Sequence, residues 1–232
     1  DEIREIYRDR AGTVWIGTYG QGLDRLDAAS GTFTHYRHDP GTRDSLSNNF
    51  VRVIHEDASG NFWVGTQGGG LNLFNRSRGT FRSFRQDTGA ASDYVQAIHE
   101  SGDGALWLGT LGVGLIRFDP DSGNFRSYTS RDGLPNDYVY GILEDEEGHL
   151  WLSTNNGLSM FDPERSSFRN FGVSDGLQDR EFNGGSYFRS PRGEMFFGGI
   201  NGFNAFFPAR IQANTYVPPV VIESFQKFNK NV

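Results

Sequence analysis

The heptapeptide GHLWLST at residues 148–154 recurs along the sequence, and this repetition indicates the fold class. Close copies are GTVWIGT at 12–18, GNFWVGT at 60–66 and GALWLGT at 104–110, and a divergent copy, GEMFFGG, occupies 193–199. The aromatic anchors of the five copies are Trp15, Trp63, Trp107, Trp151 and Phe196, with separations of 48, 44, 44 and 45 residues. A period of this length is typical of one blade of a β-propeller.

Three further strand-like segments accompany each anchor. The upstream segments are IREIYRD at 3–9, VRVIHED at 51–57, VQAIHES at 95–101, VYGILED at 139–145 and the divergent GGSYFRS at 184–190. The first downstream segment holds an apolar pair such as Leu71 with Phe74, and the second runs from Phe81 to Phe84 in the same copy. The fifth copy has no clear equivalent of this last segment. Short runs rich in Val, Ile, Phe and Tyr, bounded by Gly, Asp and Asn, predict strands.

Four strands per period predict one antiparallel, four-stranded blade for each copy. Turns such as DASGN at 57–61 and DEEGH at 145–149 place a Gly where the first hairpin must reverse. A single sheet of this size cannot bury both faces, so the blades must pack against one another around an axis. We therefore predict an all-β propeller with five visible blades, in which the anchor Trp lies between neighbouring blades. A ring of seven blades, of which these are five, is the alternative.

The composition narrows the class of protein. The 232 residues are 36% hydrophobic and include 31 Gly, which is enough for a core and many tight turns. The net charge of −7 gives no general attraction for nucleic acid, which we exclude as a partner. No run of 18 apolar residues and no signal peptide is present, and there is no Cys. The chain begins within a repeat, at Ile3, as a segment of a longer protein would.

The repeats predict the domain limits. We expect a propeller over residues 1–213, with blades near 1–46, 47–91, 92–135, 136–178 and 179–213. The segment 214–232, NTYVPPVVIESFQKFNKNV, has a Pro pair followed by an alternating apolar run and lacks a blade anchor. It is predicted to be a linker and the first strand of a following domain.

A search for catalytic and metal-binding patterns gives no convincing candidate, so we predict no catalytic residues, no metal and no cofactor. His55 and His99 stand at equivalent positions of adjacent repeats, each followed by Glu, and a repeated strand position explains them better than a metal site does. His35 and His38 near Asp39 and Asp44 fit a solvated loop. The acidic turns lack the spaced oxygen ligands of an EF-hand, and Gly68 to Gly70 lack the Lys-Ser of a phosphate loop.

The candidate binding residues lie in two sets of loops. With the usual inner-to-outer strand order, the loops before each first strand and those between the second and third strands open on the same face. Their polar and aromatic side chains suit carbohydrate, since amides and carboxylates bond hydroxyls and rings stack on sugars. A third set, Arg4, Arg52, Gln96 and Tyr140, recurs at one register of the inner strands and is expected to line the channel. The candidates carried forward are Tyr19, Gln21, Asn49, Arg52, Gln67, Tyr94, Gln96, Asn136, Tyr138, Tyr140, Asn155, Asn156, Asn183 and Asn201.

The fourth copy, DGLPNDYVYGILEDEEGHLWLSTNNGLSMFDP at 132–163, resembles the two-component regulator propeller repeat almost from end to end. The segment YVPPVVIESFQKFNKNV at 216–232 is similar to the start of the tyrosine-containing immunoglobulin-like domain that follows such propellers. The fifth copy departs from the pattern, with Phe196 and Gly199 in place of Trp and Thr. The family usually has seven blades, so the count of five differs as well.

The resemblance implies a non-catalytic sensor. Propellers of this family form the extracytoplasmic half of bacterial receptors whose output domain, a histidine kinase or a diguanylate cyclase, lies beyond a membrane helix. The resemblance therefore implies a periplasmic module that binds an oligosaccharide or other small ligand. Contact with the membrane through downstream segments and dimerisation through the full receptor are expected. Two other functions stay open: a scaffold that binds proteins on the propeller face, and a metal-dependent lyase of the streptogramin-lyase type.

Overall fold

The computed structural model of the chain describes residues 2–85 and 93–211, together with 226–227 and 230–231. Within these ranges the regular structure consists of β-strands and three short 3-10 turns, Ser130–Asp132, Val173–Asp175 and Pro208–Arg210. None of the described helical segments is long and apolar enough to span a membrane.

Each copy of the repeat forms its own antiparallel sheet, and the strands of each sheet follow chain order. Blade 1 contains β1 (Ile3–Arg8), β2 (Val14–Thr18), β3 (Leu23–Leu26) and β4 (Phe33–Tyr36). Blade 2 contains β5 (Val51–Glu56), β6 (Phe62–Thr66), β7 (Gly70–Asn75) and β8 (Thr80–Phe84). Blade 3 contains β9 (Val95–Glu100), β10 (Leu106–Thr110), β11 (Leu115–Phe118) and β12 (Phe125–Tyr128). Blade 4 contains β13 (Val139–Glu144), β14 (Leu150–Thr154), β15 (Gly157–Asp162) and β16 (Ser167–Phe171).

Blade 5 differs from the others in having three strands among the described residues: β17 (Phe182–Arg189), β18 (Met195–Gly199) and β19 (Gly202–Phe206). This agrees with the missing fourth segment of the fifth copy. The predicted all-β propeller of antiparallel blades is confirmed. A further strand pair, β20 (Gln226–Lys227) with β21 (Lys230–Asn231), is antiparallel. The predicted linker and immunoglobulin-like strand at 214–232 otherwise lie outside the described residues, and the domain limits stay a prediction.

The pairing register is the same from blade to blade. The anchor aromatic of the second strand always pairs with the residue eight positions before it, as in Tyr7 with Trp15, His55 with Trp63 and His99 with Trp107. The first strands β1, β5, β9, β13 and β17 contact one another in succession and lie towards the axis. Equivalent positions of the repeat therefore occupy equivalent places in every blade.

The anchor Trp packs into the next blade, as predicted. Trp63 is 1% exposed and clusters with Leu106, Phe118 and other side chains of blade 3. Trp15, Trp107 and Trp151 make the same contact with blades 2, 4 and 5. In three of the blades, the indole N–H of the anchor donates a hydrogen bond to an Asp six residues earlier. Trp63 Nε1 donates to Asp57 Oδ2 at 2.7 Å, and equivalent bonds join Trp15 to Asp9 and Trp151 to Asp145. Buried indole N–H groups need such a partner.

The Gly that follows the anchor is required by the closeness of the blades. A Cβ on Gly65 would lie 2.6 Å from Cγ1 of Val53 and 2.8 Å from Cγ1 of Val95 in the next blade. Real Cβ atoms do not approach other carbon atoms so closely, so a side chain here would force the sheets apart. Blade 4 carries the buried Ser153 at the equivalent position, and there the paired residue of the first strand is Gly141 in place of Val53, which leaves room for a small side chain.

The two end faces of the set of blades are exposed. Ile6 of blade 1 is 66% exposed, whereas the equivalent Ile54 and Ile142 are 3% and 2% exposed. On blade 5, Phe203 is 66% exposed, whereas the equivalent Leu71 is 1% exposed. These positions are covered wherever a neighbouring blade is present. The number of blades in a closed ring therefore stays a prediction.

Candidate functional site

The two predicted sets of loops meet on one face, where main-chain hydrogen bonds join each blade to the next. The amides of Gly20 and Gly22 in blade 1 donate to the carbonyl of Asn49, which precedes blade 2, at 3.1 and 2.9 Å. Gly68 donates in the same way to Asp93 at 2.9 Å. The later blades repeat the arrangement, with Gly112 and Gly114 bonded to Asp137, and Gly157 to Arg180. We call this surface the loop face.

In blades 1 to 4, a Thr at the end of the second strand shapes the loop that follows. Thr66 Oγ1 donates to the carbonyl of Gly70 at 3.0 Å, and Thr18, Thr110 and Thr154 make the same bond. Gly70 has φ of +76°, and its missing Cβ leaves room for the carbonyl of Phe84. The Gly-Thr of the repeat thus fixes the loop that carries the candidate residues.

The inner-strand candidates are the bulged residues of their strands. The register of the first strand pair shifts between Ile3 and Glu5, between Val51 and Val53, and at the same place in blades 3 and 4. The residues skipped by these shifts are Arg4, Arg52, Gln96 and Tyr140. A bulge turns one side chain away from the regular alternation of the sheet. This explains how long polar side chains fit on an otherwise apolar strand.

In three blades the bulged residue contacts the loop residue four positions after the anchor. Arg52 donates to Oε1 of Gln67 through Nε at 2.8 Å and also through a terminal nitrogen. In blade 4 the Tyr140 hydroxyl lies 3.5 Å from Oδ1 of Asn155. In blade 1 the Arg4 guanidinium lies over the Tyr19 ring, 5.0 Å from its centroid. The structure thus brings five of the predicted candidates into equivalent contacts at the mouth of the channel.

Tyr19 is surrounded by side chains of blades 1 and 2 on the loop face. Its ring makes an edge contact with Phe50 of blade 2, with centroids 4.6 Å apart. Arg52 lies over the same ring at 5.1 Å, so that two guanidinium groups share it. Burial and the nearby charge of Arg4 lower the pKa of Arg52. Tyr19 itself stays 37% exposed.

Nearer the axis, side chains of distant blades approach one another. The amide of Gln96 lies against Gly184 of blade 5, where a Cβ would be 2.6 Å from Nε2. Burial raises the pKa of Glu5 to about 7. Burial also raises the pKa of Tyr187 to about 12, and the Glu5 carboxylate adds to that shift. The interior of the ring therefore holds a carboxyl group that titrates near neutrality.

Four of the predicted Asn residues stabilise loops. Asn49 Oδ1 accepts the His38 amide at 2.7 Å, and Asn136 Oδ1 accepts the Tyr138 amide at 2.9 Å. The side-chain amides of Asn156 and Asn201 donate to the carbonyls of Pro135 and Gln178, both at 3.3 Å. The Asn136 bond is an Asx-type turn contact, whereas the other three bonds join loop segments that are distant in sequence. Ligand binding by these four stays a prediction.

The remaining candidates are placed on the loop face without a defined cluster. Tyr94 and Tyr138 form isolated β-bridges with Gln67 and Leu111 of the preceding blades. Gln21 is partly buried, and its main-chain N–H donates to Thr18 Oγ1 at 3.0 Å. Asn183 is exposed on β17.

Sequence reasoning did not select Glu5 and Tyr187, and Arg4 was expected only to line the channel. A signal for Glu5 was present, because the equivalent residues of blades 2, 3 and 4 are the buried, uncharged Val53, Ala97 and Gly141. An ionisable residue at a strand position that small or apolar residues occupy in the other blades is a candidate for a shifted pKa.

The two His residues of equivalent strands pair with Glu across the blades, on the side away from the loop face. His55 Nε2 lies 3.6 Å from Glu100 Oε2, and His99 Nε2 lies 2.5 Å from Glu144 Oε2. Burial lowers the pKa of His55. Among residues 2–85 and 93–211, no three His, Asp or Glu side chains are grouped as metal ligands would be. The His pair is thus a set of inter-blade contacts.

A cleft of about 430 Å³ lies between blades 4 and 5 near the first-hairpin turns, away from the loop face. Its lining includes Glu146, His149, Arg192 and the 207–211 segment. Arg189 Nη2 lies 3.6 Å from Glu146 Oε1, so its charges are partly balanced within the protein. None of the predicted candidate residues lines this cleft.

Comparison with known proteins identifies the repeat. The sequence model of the two-component regulator propeller family matches residues 1–20, 45–68 and 133–156, which are parts of blades 1, 2 and 4. No curated protein matches the whole sequence closely enough to be counted as a relative.

Solved structures extend the match to almost the entire chain. The extracellular domain of a protein assigned to a hybrid two-component system of B. thetaiotaomicron is 31% identical, with a TM-score of 0.80. The match covers 99% of this chain and 32% of that one. A second extracellular domain from B. thetaiotaomicron, assigned to a one-component system, is 22% identical with a TM-score of 0.78, over 93% of this chain and 31% of that one. The chain thus spans about a third of the length of these proteins.

A lyase shares the fold at a lower level. Virginiamycin B lyase from Staphylococcus aureus is 17% identical with a TM-score of 0.62, over 88% of this chain and 69% of that one. Identity at this level shows the propeller architecture alone.

Proposed function

Because the chain belongs to the two-component regulator propeller family, we propose that it is the ligand-sensing module of a bacterial transmembrane receptor. In this proposal the module lies in the periplasm, is not itself catalytic, and binds a carbohydrate or another small ligand on the loop face. A membrane segment and an output domain would belong to parts of the receptor beyond this chain. Dimerisation through the full receptor is part of the same proposal.

The observation that carries the proposal is the set of repeated contacts at the channel mouth. Arg52 with Gln67, and Tyr140 with Asn155, place hydrogen-bonding groups at matched positions of different blades. The bulges and the Thr-held loops fix these side chains before any ligand arrives. A preorganised set of polar groups beside exposed rings is the surface that sugar hydroxyls and sugar faces require.

Ligand binding would act on signalling only through a difference in affinity between two arrangements of the receptor. The main-chain bonds between the loops of adjacent blades link the loop face to blade packing. A ligand that spans two blades would therefore favour one packing arrangement over another.

The test is a thermal-shift screen of the chain against a panel of oligosaccharides. A ligand that binds the folded state raises the melting temperature. The expected result is a shift with at least one glycan, lost in Gln67→Ala and Asn155→Ala and kept in Arg117→Gln. Arg117 is a suitable control because its pair with Asp103 lies at the first-hairpin end of blade 3, away from the loop face. Absence of any shift, together with capture of a protein by the loop face, would favour the scaffold function.

A further inference from the structure

Blade 1 and blade 2 each contribute one Arg to the same Tyr ring. The Cζ atoms of Arg4 and Arg52 lie 5.0 and 5.1 Å from the Tyr19 centroid. The two residues occupy the same bulged register of adjacent inner strands. The convergence of two cations on one ring is thus built into the repeat geometry and involves two separate blades.

The positive charge of this group is incompletely balanced. Arg4 pairs with Glu2 at 2.7 Å, and both side chains are more than a third exposed. Arg52 is partly buried, and its side-chain partner is the neutral amide oxygen of Gln67. Among the residues that the structure describes, no carboxylate lies within ion-pair distance of Arg52, although the protein carries a net charge of −7. Two like charges held close together, one of them partly desolvated, raise the free energy of the unliganded protein.

The aromatic ring is held in position beneath these charges. The Tyr19 amide donates to the carbonyl of Glu2 at 2.8 Å, and its ring contacts Phe50 across the blade boundary. Tyr19 also forms a β-bridge with Phe50. A fixed ring orients the guanidinium planes by cation–π contact, and the N–H groups that do not bind Gln67 or Glu2 can bind another acceptor.

We propose that Arg4, Tyr19 and Arg52 form a binding site for the anionic group of an acidic sugar, with the oxyanion between the two guanidinium groups and the sugar against the ring. Guanidinium donors match the oxygen spacing of carboxylates and sulfates, and charge-assisted bonds of this type are the strong ones. The anion supplies the carboxylate or sulfate partner that Arg52 lacks among the described residues, and it adds a second acceptor for Arg4, which already pairs with Glu2. The inference rests on the proposed sensor function and narrows its ligands to uronates or sulfated sugars.

The experiment compares charged and uncharged forms of the same glycans by titration calorimetry. The carboxylate probe is an oligogalacturonate, with its methyl ester as the neutral match; the sulfate probe is a dextran sulfate oligosaccharide, with dextran as its match. We expect at least one charged probe to bind at least about tenfold more tightly than its neutral match, since one charge-assisted bond exceeds the 1.4 kcal/mol that corresponds to tenfold. The charged probe that binds identifies the oxyanion. Its affinity should fall as NaCl is raised.

The variants are Arg4→Gln and Arg52→Gln, with Arg117→Gln as the matched control. Each site variant should weaken the charged probe by about tenfold or more and leave any binding of the neutral probe unchanged. Equal affinity of the charged and neutral probes, or an equal loss in Arg117→Gln, overturns the inference while leaving the sensor function in place. Failure of both charged probes to bind also overturns it. Circular dichroism of each variant shows whether a loss reflects binding or folding.

Discussion

The inner interfaces of the propeller and its two end faces are made by the same positions of the repeat, yet their surroundings are opposite. At the interface of blades 2 and 3, Trp63 and Leu71 are both 1% exposed. On the outer side of blade 5, Phe203 is 66% exposed, and on the outer side of blade 1 so is Ile6. Each blade therefore supplies only part of the apolar core that lies between it and its neighbour. The neighbouring blade supplies the rest, so the same substitution should have different effects at the two kinds of face.

The largest difference is expected at the anchor position. Trp63→Ala removes a buried ring that contacts Phe84 and Phe118, with centroids 5.8 and 5.7 Å away, and should lower the free energy of unfolding by about 3–5 kcal/mol. Phe196→Ala, at the equivalent position of blade 5, should cost roughly 1 kcal/mol or less because its ring is only partly buried. Urea denaturation of the two variants measures the difference. Equal losses would show that the end face is covered in solution.

A smaller difference is expected at the Gly two positions further on. Gly65→Ala places a methyl group against Val53 and Val95 and should cost about 1–3 kcal/mol through overpacking. Gly198→Ala on blade 5 meets only Ser186, with a Cβ–Cβ distance of 3.0 Å, and should be less damaging. Melting temperatures of the two variants under one buffer condition test this prediction. A larger loss for Gly198→Ala would mean that the strand, and not the neighbouring blade, sets the requirement for Gly.

The buried Glu5 of blade 1 should make the stability of the protein depend on pH. Its pKa is raised to about 7, above the value of 4.5 for an unburied Glu, so the folded state holds the proton more tightly than the unfolded state does. The stability contributed by this group is present below pH 4.5 and is lost as the pH rises through about 7. Glu5→Gln should therefore flatten the fall in melting temperature between these pH values. An unchanged pH profile would show that Glu5 is solvated in the native protein.

The smallest effect is expected on the exposed face of blade 1. Ile6→Thr should change the free energy of unfolding by about 0.5 kcal/mol or less, as at other surface sites. Ile54→Thr at the equivalent buried position should cost several times more, because it places a hydroxyl in a dry interface. Parallel denaturant titrations measure both. Similar losses at the two positions would contradict the exposed state of Ile6.

The repeat was enough to predict the blades, their order and the burial of the Trp anchors, because these follow from periodicity and from the apolar content of each segment. Three features were beyond the sequence. The bulges at Arg4 and Arg52 depend on where a ladder slips, which no residue type dictates. The raised pKa of Glu5 depends on burial, and the uncharged residues at the equivalent positions of other blades indicate that burial only indirectly. The sharing of Tyr19 by two Arg residues required the positions of two blades relative to each other.

The candidate Asn residues show why composition alone overestimates a binding site. Asn49 and Asn136 lie on the predicted face, but their side chains already accept main-chain N–H groups. Asn155 is equally common as a loop residue and instead faces the Tyr140 hydroxyl. The sequence cannot separate these two uses, since both need the same short amide.

The loops of adjacent blades are joined by hydrogen bonds between main-chain amides and carbonyls, such as those of Gly20 and Asn49. A main-chain bond persists when the side chain beside it changes. Substitution of Tyr19, Gln67 or Asn155 therefore leaves the main-chain bonds between adjacent blades in place. The side chains of the loop face can therefore diverge one blade at a time while the architecture is inherited unchanged.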